Sequence, residues 1–376
     1  MPERIIISAT SDLVTDQRVH RTAATLKEAG YRVLVVGRRL PDSMELPGKR
    51  YRCVRFRLWF TKGPGFYANY NLKLFWFLLW RSTDILLSND LDTLPANYLI
   101  SKIKRIPLVY DSHEYFTGVP ELVYRPRTQR FWKRIESWIV PGLKNAYTVN
   151  ESIARLFNEE YHTSFQVIRN VPEENRYTER DKKIIRRDLG LPADIPIIIL
   201  QGAGINIQRG AEEAVLAMQY MNDALLLIVG SGDVIPLLKK IVEEKKLGNK
   251  VRFEGKKTPN ELIFYTQSAD LGLSLDKDTN LNYRFSLPNK LFDYIHAGIP
   301  VLASDLPEVR RIVENYDIGR ISPNHDPEKL AQLMKEMLSD EQKKAEWKIK
   351  LKKAAAELNW SSERIKLLAI FKNLEQ

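Results

Sequence analysis

The chain has little of what would assign it outright to several protein classes. Cys53 is its single cysteine, so no internal disulfide forms and a cysteine metal cluster is excluded; a reducing cytoplasm fits. It has no run of about 18 apolar residues, the length that a spanning helix needs. The nearest stretch, Leu72–Trp80, is too short and is interrupted by Lys73. Met-Pro-Glu-Arg leads straight into Ile5–Ile7, which predicts a first strand rather than a signal peptide. Neither a short-period repeat nor a low-complexity tract occurs, which argues against solenoids and compositional linkers. Histidines number five, so a histidine at the end of a strand carries information.

What is present is an ordinary globular composition with an uneven charge. At 376 residues and 44% apolar content, the chain is long enough for two cores rather than one. Its net charge is +11, and residues 1–175 hold +8 of that excess. Such asymmetry suits an anionic partner for the N-terminal half, as well as a merely basic solvated surface.

Apolar, β-branched runs alternate with amphipathic helical segments. Strands are expected at Arg4–Ala9, Arg32–Val36, Val54–Phe60, Asp84–Ser88, Pro107–Asp111 and Ala146–Val149. A second series follows at Pro196–Leu200, Ala224–Val229, Lys250–Phe253, Asp270–Ser274 and Pro300–Ala303. Alternation of this kind predicts parallel sheets covered on both faces. The expected fold class is α/β, with two Rossmann-like doubly wound domains facing a cleft. The polar stretch between the series places domain 1 at 1–172, a linker at 173–190, domain 2 at 191–357 and a last helical segment at 358–376. Ser361 or Ser362 is a suitable cap for that last helix.

The segment Ser286–Asp305 is the most informative. It predicts a loop, a helix over Lys290–Ala297 that begins around Pro288 and Asn289, a stop at Gly298, and a buried strand. Free amides at such a helix start favour an anion, and one turn along lies a carboxylate, Asp293. This arrangement suits a nucleotide, with diphosphate on the amides and ribose on the acid. Upstream, Gly202 and Gly204 follow an apolar strand, and Arg209 precedes the next helix; glycines admit a phosphate and arginine supplies a forked cation. The Gly230-Ser-Gly232-Asp233 turn reads equally well as ligand contact or as a turn capped by Asp233. In the N-terminal half, Val109-Tyr-Asp111-Ser-His113-Glu114 ends a strand with polar groups. Asp16 suits a helix N-cap, and Arg18 follows it. Asp90 and Asp92, in Ser88-Asn-Asp-Leu-Asp92, read as capping residues rather than metal ligands. Two aromatic and basic segments, Tyr67–Arg81 and Arg125–Trp138, suit either core packing or an interfacial helix beside anionic lipid.

The Leu287–Asp305 segment and the Asp111–Glu114 element together resemble the GT-B glycosyltransferases, in particular the large retaining group 1 family, GT4. The resemblance runs from Ser8 to the last helix, and it implies that this helix crosses back to the N-terminal domain. It implies a nucleotide-sugar donor held by Gly202, Gly204, Arg209, Arg284, Ser286, Leu287, Pro288, Asn289, Lys290 and Asp293, and a base bordered by Gly255 and Lys256. It implies a catalytic role near the transferred sugar for His113. It also suggests acceptor or donor contacts from Asp16, Arg18, Asp111 and Glu114. No cofactor and no metal are implied; the nucleotide sugar is the substrate.

Two departures stand out. Ala203 occupies the place of the family's earlier phosphate arginine, so Lys290 or Arg284 is expected to substitute. Phe285 stands where the family carries its first acid, so Asn282, Arg284 or the amides of Ser286 and Leu287 are expected at the sugar. The implied partners are a saccharide or lipid-linked acceptor of cell-surface polysaccharide synthesis and an anionic membrane surface at the inner face, with no nucleic acid. A sugar-nucleotide 2-epimerase on the same fold and a non-catalytic anion- or nucleic-acid-binding protein are the alternatives.

Overall fold

The computed structural model describes residues 3–374 apart from 15, 42, 47, 49, 50, 175, 176, 178 and 179. The chain divides into two compact units: Met1–Asn170 with Glu363–Gln376, and Val171–Ser362. Four residues of the expected linker, 175, 176, 178 and 179, lie outside the described residues. Another part of it, Lys182–Asp188, is a helix of the second unit. Lys182 and Arg186 anchor that helix on Asp270, through ion pairs of 2.9 and 2.5 Å.

The first unit is built on β1 (Arg4–Ser8), β2 (Arg32–Arg39), β3 (Arg52–Arg57), β4 (Ile85–Asn89), β5 (Leu108–Ser112), β6 (Asn145–Thr148) and β7 (Gln166–Val167). They form one parallel seven-stranded sheet in the order β3-β2-β1-β4-β5-β6-β7. Ile5, Ile6 and Ile7 are all buried, as a central strand covered on both faces requires. β3 ends at Arg57, short of the expected Phe60. At this sheet edge its side chains are at most half-buried, and Trp59 and Phe60 are exposed beyond it.

The first helix, Gln17–Glu28, starts on Asp16, whose carboxylate accepts from the Val19 amide at 3.2 Å. Val19, Ala23 and Leu26, at helical spacing, are fully buried. The last helix, Trp360–Lys372, is capped by Asn359, whose side chain accepts from the Ser362 amide at 3.0 Å. Neither Ser361 nor Ser362 serves as the cap, because the helix already begins at Trp360, ahead of both. From Glu363 onward this segment packs within the first unit, where Phe371 meets Tyr31 and Arg364 pairs with Glu28.

The second unit repeats the plan with β8 (Ile197–Gly202), β9 (Leu225–Gly230), β10 (Val251–Gly255), β11 (Leu271–Ser274), β12 (Val301–Ser304) and β13 (Gly319–Ser322). The six are parallel, in the order β10-β9-β8-β11-β12-β13. In both sheets the order reverses beside the first strand, between β1 and β4 and between β8 and β11. Ligands of open α/β sheets bind at such a reversal, beyond the carboxyl ends of the strands. Among the described residues no helix is long and apolar enough to cross a membrane.

Candidate functional site

Each reversal point gathers a polar cluster. In the first unit, Asp111 lies fully buried next to the last residue of β5, and Arg18 reaches it from the first helix. The Arg18 Nε donates to both Asp111 oxygens, at 3.1 and 3.0 Å, and Nη2 donates at 2.6 Å. Nη1 donates to the Ile168 carbonyl at 3.0 Å. All three guanidinium nitrogens are therefore spent inside the protein, and Arg18 acts through Asp111.

His113 sits in front of that pair, its side chain 22% exposed. Its Nε2 lies 3.2 Å from both Asp111 Oδ2 and Asn89 Oδ1, and its Nδ1 lies 3.3 Å from Asp90 Oδ2. The His113 amide also donates to Asp90 Oδ1, at 2.8 Å. Both ring nitrogens face acceptors, which is the environment of an imidazolium. Burial opposes that charge, but Asp90 and then Asp111 outweigh it and raise the His113 pKa to about 9. Burial would likewise raise Asp111, yet Arg18 and then His113 hold it at about 2.

Asp90 and Asp92 do not cap the next helix, Leu94–Lys104, contrary to the expectation; that helix starts at Thr93 without a side-chain cap. Instead, Asp90 takes a left-handed φ of 58° and faces His113. Asp92 accepts from the Thr10 hydroxyl at 2.6 Å, while its Oδ1 is buried without a hydrogen-bond partner. Burial, followed by repulsion from Asp90, pushes the Asp92 carboxyl up to about 7. The sequence pointed to both acids as caps and not as partners of His113 and Thr10. Their only signal was a polar dipeptide spacing at the end of a strand, which also fits a cap. Glu114 is half-buried beside this cluster, and its carbonyl accepts from the Ser112 hydroxyl.

In the second unit the cluster is cationic and centres on Asp276, 1% exposed, two residues beyond β11. Arg209 Nη1 donates to its Oδ1 at 3.1 Å, and Lys290 Nζ lies 3.2 Å from its Oδ2. One carboxylate thus fixes two cations and leaves a net positive charge. Arg209 also lies over the Tyr283 ring, 4.6 Å from its centroid. Of the two expected substitutes for the missing arginine, Lys290 joins Arg209 on this bridge. Arg284 does not; it is exposed and meets Asp278 loosely, at 3.9 Å.

Lys290 lies in the first turn of the helix Asn289–Ala297, which follows Pro288 without a side-chain cap and stops at Gly298, with φ of 70°. Asp293 on that helix accepts from Tyr177 Oη and from Gln201 Nε2, each at 3.1 Å. Gln201, unnoticed in the sequence because glutamine in a buried strand has no pattern, is itself held by the Thr266 hydroxyl at 2.8 Å.

Leu287 is buried and Asn289 exposed ahead of this helix. Asn282 is buried in the short helix Leu281–Arg284, which Phe285 closes. The amide and the hydroxyl of Ser286 both donate to the Tyr283 carbonyl, at 3.1 and 2.9 Å. The Ser286 amide is therefore engaged within the protein.

The glycines separate into two kinds. A Cβ at Gly230 would lie 1.8 Å from the Gly202 carbonyl oxygen, and one at Gly232 would lie 2.0 Å from that of Ile205. Gly210, with φ of 71°, would bring a Cβ within 2.3 Å of the Leu275 carbonyl. Packing of the fold alone explains these three. Asp233 caps nothing; the following helix starts at Val234 with no side-chain cap. At Gly202 and Gly204, by contrast, an added Cβ meets nothing closer than 3.8 and 3.7 Å. The fold leaves room for a side chain there. Gly255, with φ of 60°, ends β10, and no atom would crowd a Cβ on it.

Two family profiles match the chain: Glycosyltransferase Family 4 over residues 16–172 and Glycosyl transferases group 1 over residues 181–354. A curated relative, D-inositol 3-phosphate glycosyltransferase of Corynebacterium urealyticum, is 24% identical over 210 residues, 52% of this chain. The match spans about half of that relative, 47% of its length. Sucrose-phosphate synthase of Thermosynechococcus elongatus superposes with a TM-score of 0.81 at 17% identity, over 99% of each chain. Anabaena HepE in complex with UDP-glucose superposes with a TM-score of 0.77 at 16% identity, over 99% of this chain and 100% of its own. The fold shared with these structures is GT-B.

Proposed function

Since both halves of the chain belong to the group 1 and family 4 glycosyltransferases, we propose that it moves a sugar from a nucleotide-sugar donor to a saccharide or lipid-linked acceptor, with retention at the anomeric carbon. The observation that carries this reading is the Arg209–Asp276–Lys290 bridge at the reversal point of the second sheet. Beside it lie an uncapped helix start and two glycines that the fold itself does not require. In this reading the donor diphosphate sits on the amides at Asn289 and Lys290, with Arg209 and Lys290 as its counter-charges, and Gly202 and Gly204 allow close approach. Asp293, held by Gln201 and Tyr177, takes the ribose. As the glycosidic bond to the diphosphate breaks, these fixed cations stabilise the departing charge without reorganising, the work that a divalent ion does in other folds. The binding of UDP-glucose by Anabaena HepE makes a uridine nucleotide the first to try.

The first unit is the acceptor side. His113, protonated at neutral pH with both ring nitrogens on protein acceptors, supplies a fixed positive charge at the site rather than a base. The basic, aromatic helices of this unit favour peripheral attachment to an anionic membrane, where a lipid-linked acceptor of surface polysaccharide synthesis resides.

Thermal unfolding against a panel of nucleoside diphosphates tests the reading. A selective upward shift with one diphosphate, abolished by Asp293→Ala, is the expected result, and no shift with any nucleotide sinks it. With the donor so identified, Arg209→Ala should lower kcat/KM by about 10²–10³. The anomeric configuration of the product, read by NMR, decides retention.

A further inference from the structure

The first unit contains a cavity of about 490 Å³ that neither polar cluster uses, within the roughly 300–1,000 Å³ typical of ligand sites. It lies between the helices Gly63–Leu79 and Pro126–Ile139. We propose that it binds the hydrocarbon chain of a lipid-phosphate acceptor, with the phosphate at Arg125.

Three observations support this. The walls are chiefly apolar: Tyr67 and Ala68 on one helix, Phe131, Trp132 and Ile135 on the other, and Leu122 between. Asn71, one of the few polar lining groups, is spent inside the protein, where its Nδ2 donates to the Tyr67 and Asp92 carbonyls at 3.0 and 2.7 Å. A cavity so lined prefers a chain to a sugar or a nucleotide.

The apolar surface also continues beyond the cavity on both helices. Ala68 lines it, and Leu72 and Trp76 extend the same i, i+4, i+8 stripe, each more than half exposed. Thr128, Phe131 and Ile135 line it from the other side, and Trp138 continues that stripe, with Phe131 and Trp138 more than half exposed. An open apolar track running out of a cavity fits one long chain better than a compact apolar ligand.

A cation at the cavity is available to a phosphate. Arg125 and Glu121 both line it; Arg125 is exposed, and among the described residues no side chain pairs with it. Residues 121–139 carry five basic against two acidic side chains, and one of those acids, Glu136, is buried on Lys133 at 2.8 Å.

The cavity is also tied to the acidic cluster. Asn71 bonds to Asp92, and the second helix is bound to the loop after His113 through Gln129 Nε2 to the Thr117 carbonyl, at 2.8 Å, and Thr117 Oγ1 to Glu136, at 3.1 Å. The chain's role as part of the acceptor rests on the transferase reading; its binding in the cavity does not.

Isothermal titration of the full-length protein with alkyl phosphates below their micelle concentrations tests the proposal. One equivalent of dodecyl phosphate should bind, and affinity should rise about fourfold per methylene from octyl to dodecyl. Ala68→Trp and Thr128→Phe, which fill the cavity from opposite helices, should each weaken binding by about tenfold or more, and Arg125→Ala by several-fold. Chain-length-independent binding, or wild-type affinity in both filled variants, overturns the site. Equal affinity for dodecyl maltoside overturns the assignment of phosphate to Arg125.

Two variants on separate helices guard against one that fails to fold. Nucleoside diphosphate binding, followed by thermal shift, should be unchanged in Ala68→Trp. If dodecyl phosphate binds while no nucleotide does, the chain site stands and its acceptor role falls.

Discussion

The two units share strand order, parallel register and a reversal point beside the first strand, yet they place opposite charge there. The first sheet ends in Asp90, Asp92 and Asp111, with Arg18 and His113 set among them. The second ends in Arg209 and Lys290 on a single carboxylate, Asp276. In each, a buried charge of the opposite sign holds the cluster in place: Arg18 lies behind Asp111, and Asp276 lies beneath the two cations. A shared scaffold thus offers a ligand position at the strand ends, while a few side chains just beyond them set the charge there.

Removing the organising charge from the first unit should give the largest effect. Arg18→Ala leaves Asp111 buried without its bidentate partner, which costs on the order of 3–5 kcal/mol. The expected outcome in a denaturant titration is a lower midpoint for the transition that reports the first unit. A loss below about 1 kcal/mol would show that the pair is solvated rather than buried.

Asp92 probes the acidic cluster through pH. Its folded pKa of about 7 lies above the unfolded value of 3.8. A group raised on folding contributes stability that is full below the unfolded value and lost as pH climbs through the folded one. Wild-type stability should therefore carry a falling component between these two values. Asp92→Asn should remove that component and raise stability at pH 8 by about 1–3 kcal/mol relative to its effect at pH 4. Equal effects at both pH values would mean that the carboxyl ionises freely.

The smallest change in stability is expected in the second unit. Gly204→Ala should shift folding by less than about 0.5 kcal/mol, while weakening donor binding through the lost approach of the backbone. Gly210→Ala, crowded at 2.3 Å on a left-handed backbone, should instead destabilise strongly. Similar unfolding midpoints for the two variants would erase the division between glycines of the fold and glycines of the site.

Much of this was legible in the chain. The β1 isoleucines, the helix with Val19, Ala23 and Leu26 and the stop at Gly298 follow from periodicity and local turn chemistry. Weaker strands did not announce themselves: β7 has only two residues, and β13 is half-buried at the sheet edge. His113, Asp111, Arg209, Lys290 and Asp293 were visible as polar residues next to strand ends or helix starts. Asp276 and Gln201 were not, because a lone acid or amide in a buried run has no spacing to mark it.

The amino-acid order by itself determined the alternation of strand and helix, the two series and the positions at which polar groups follow strands, since those depend on neighbours three or four residues away. Only the tertiary structure decided which charges meet. Arg18 and Asp111 are separated by 93 residues, and Arg209 and Asp276 by 67. Pairing at that range is set by the parallel sheet that brings strand ends to one edge, and burial there turns ordinary ionisable side chains into a fixed pattern of charge.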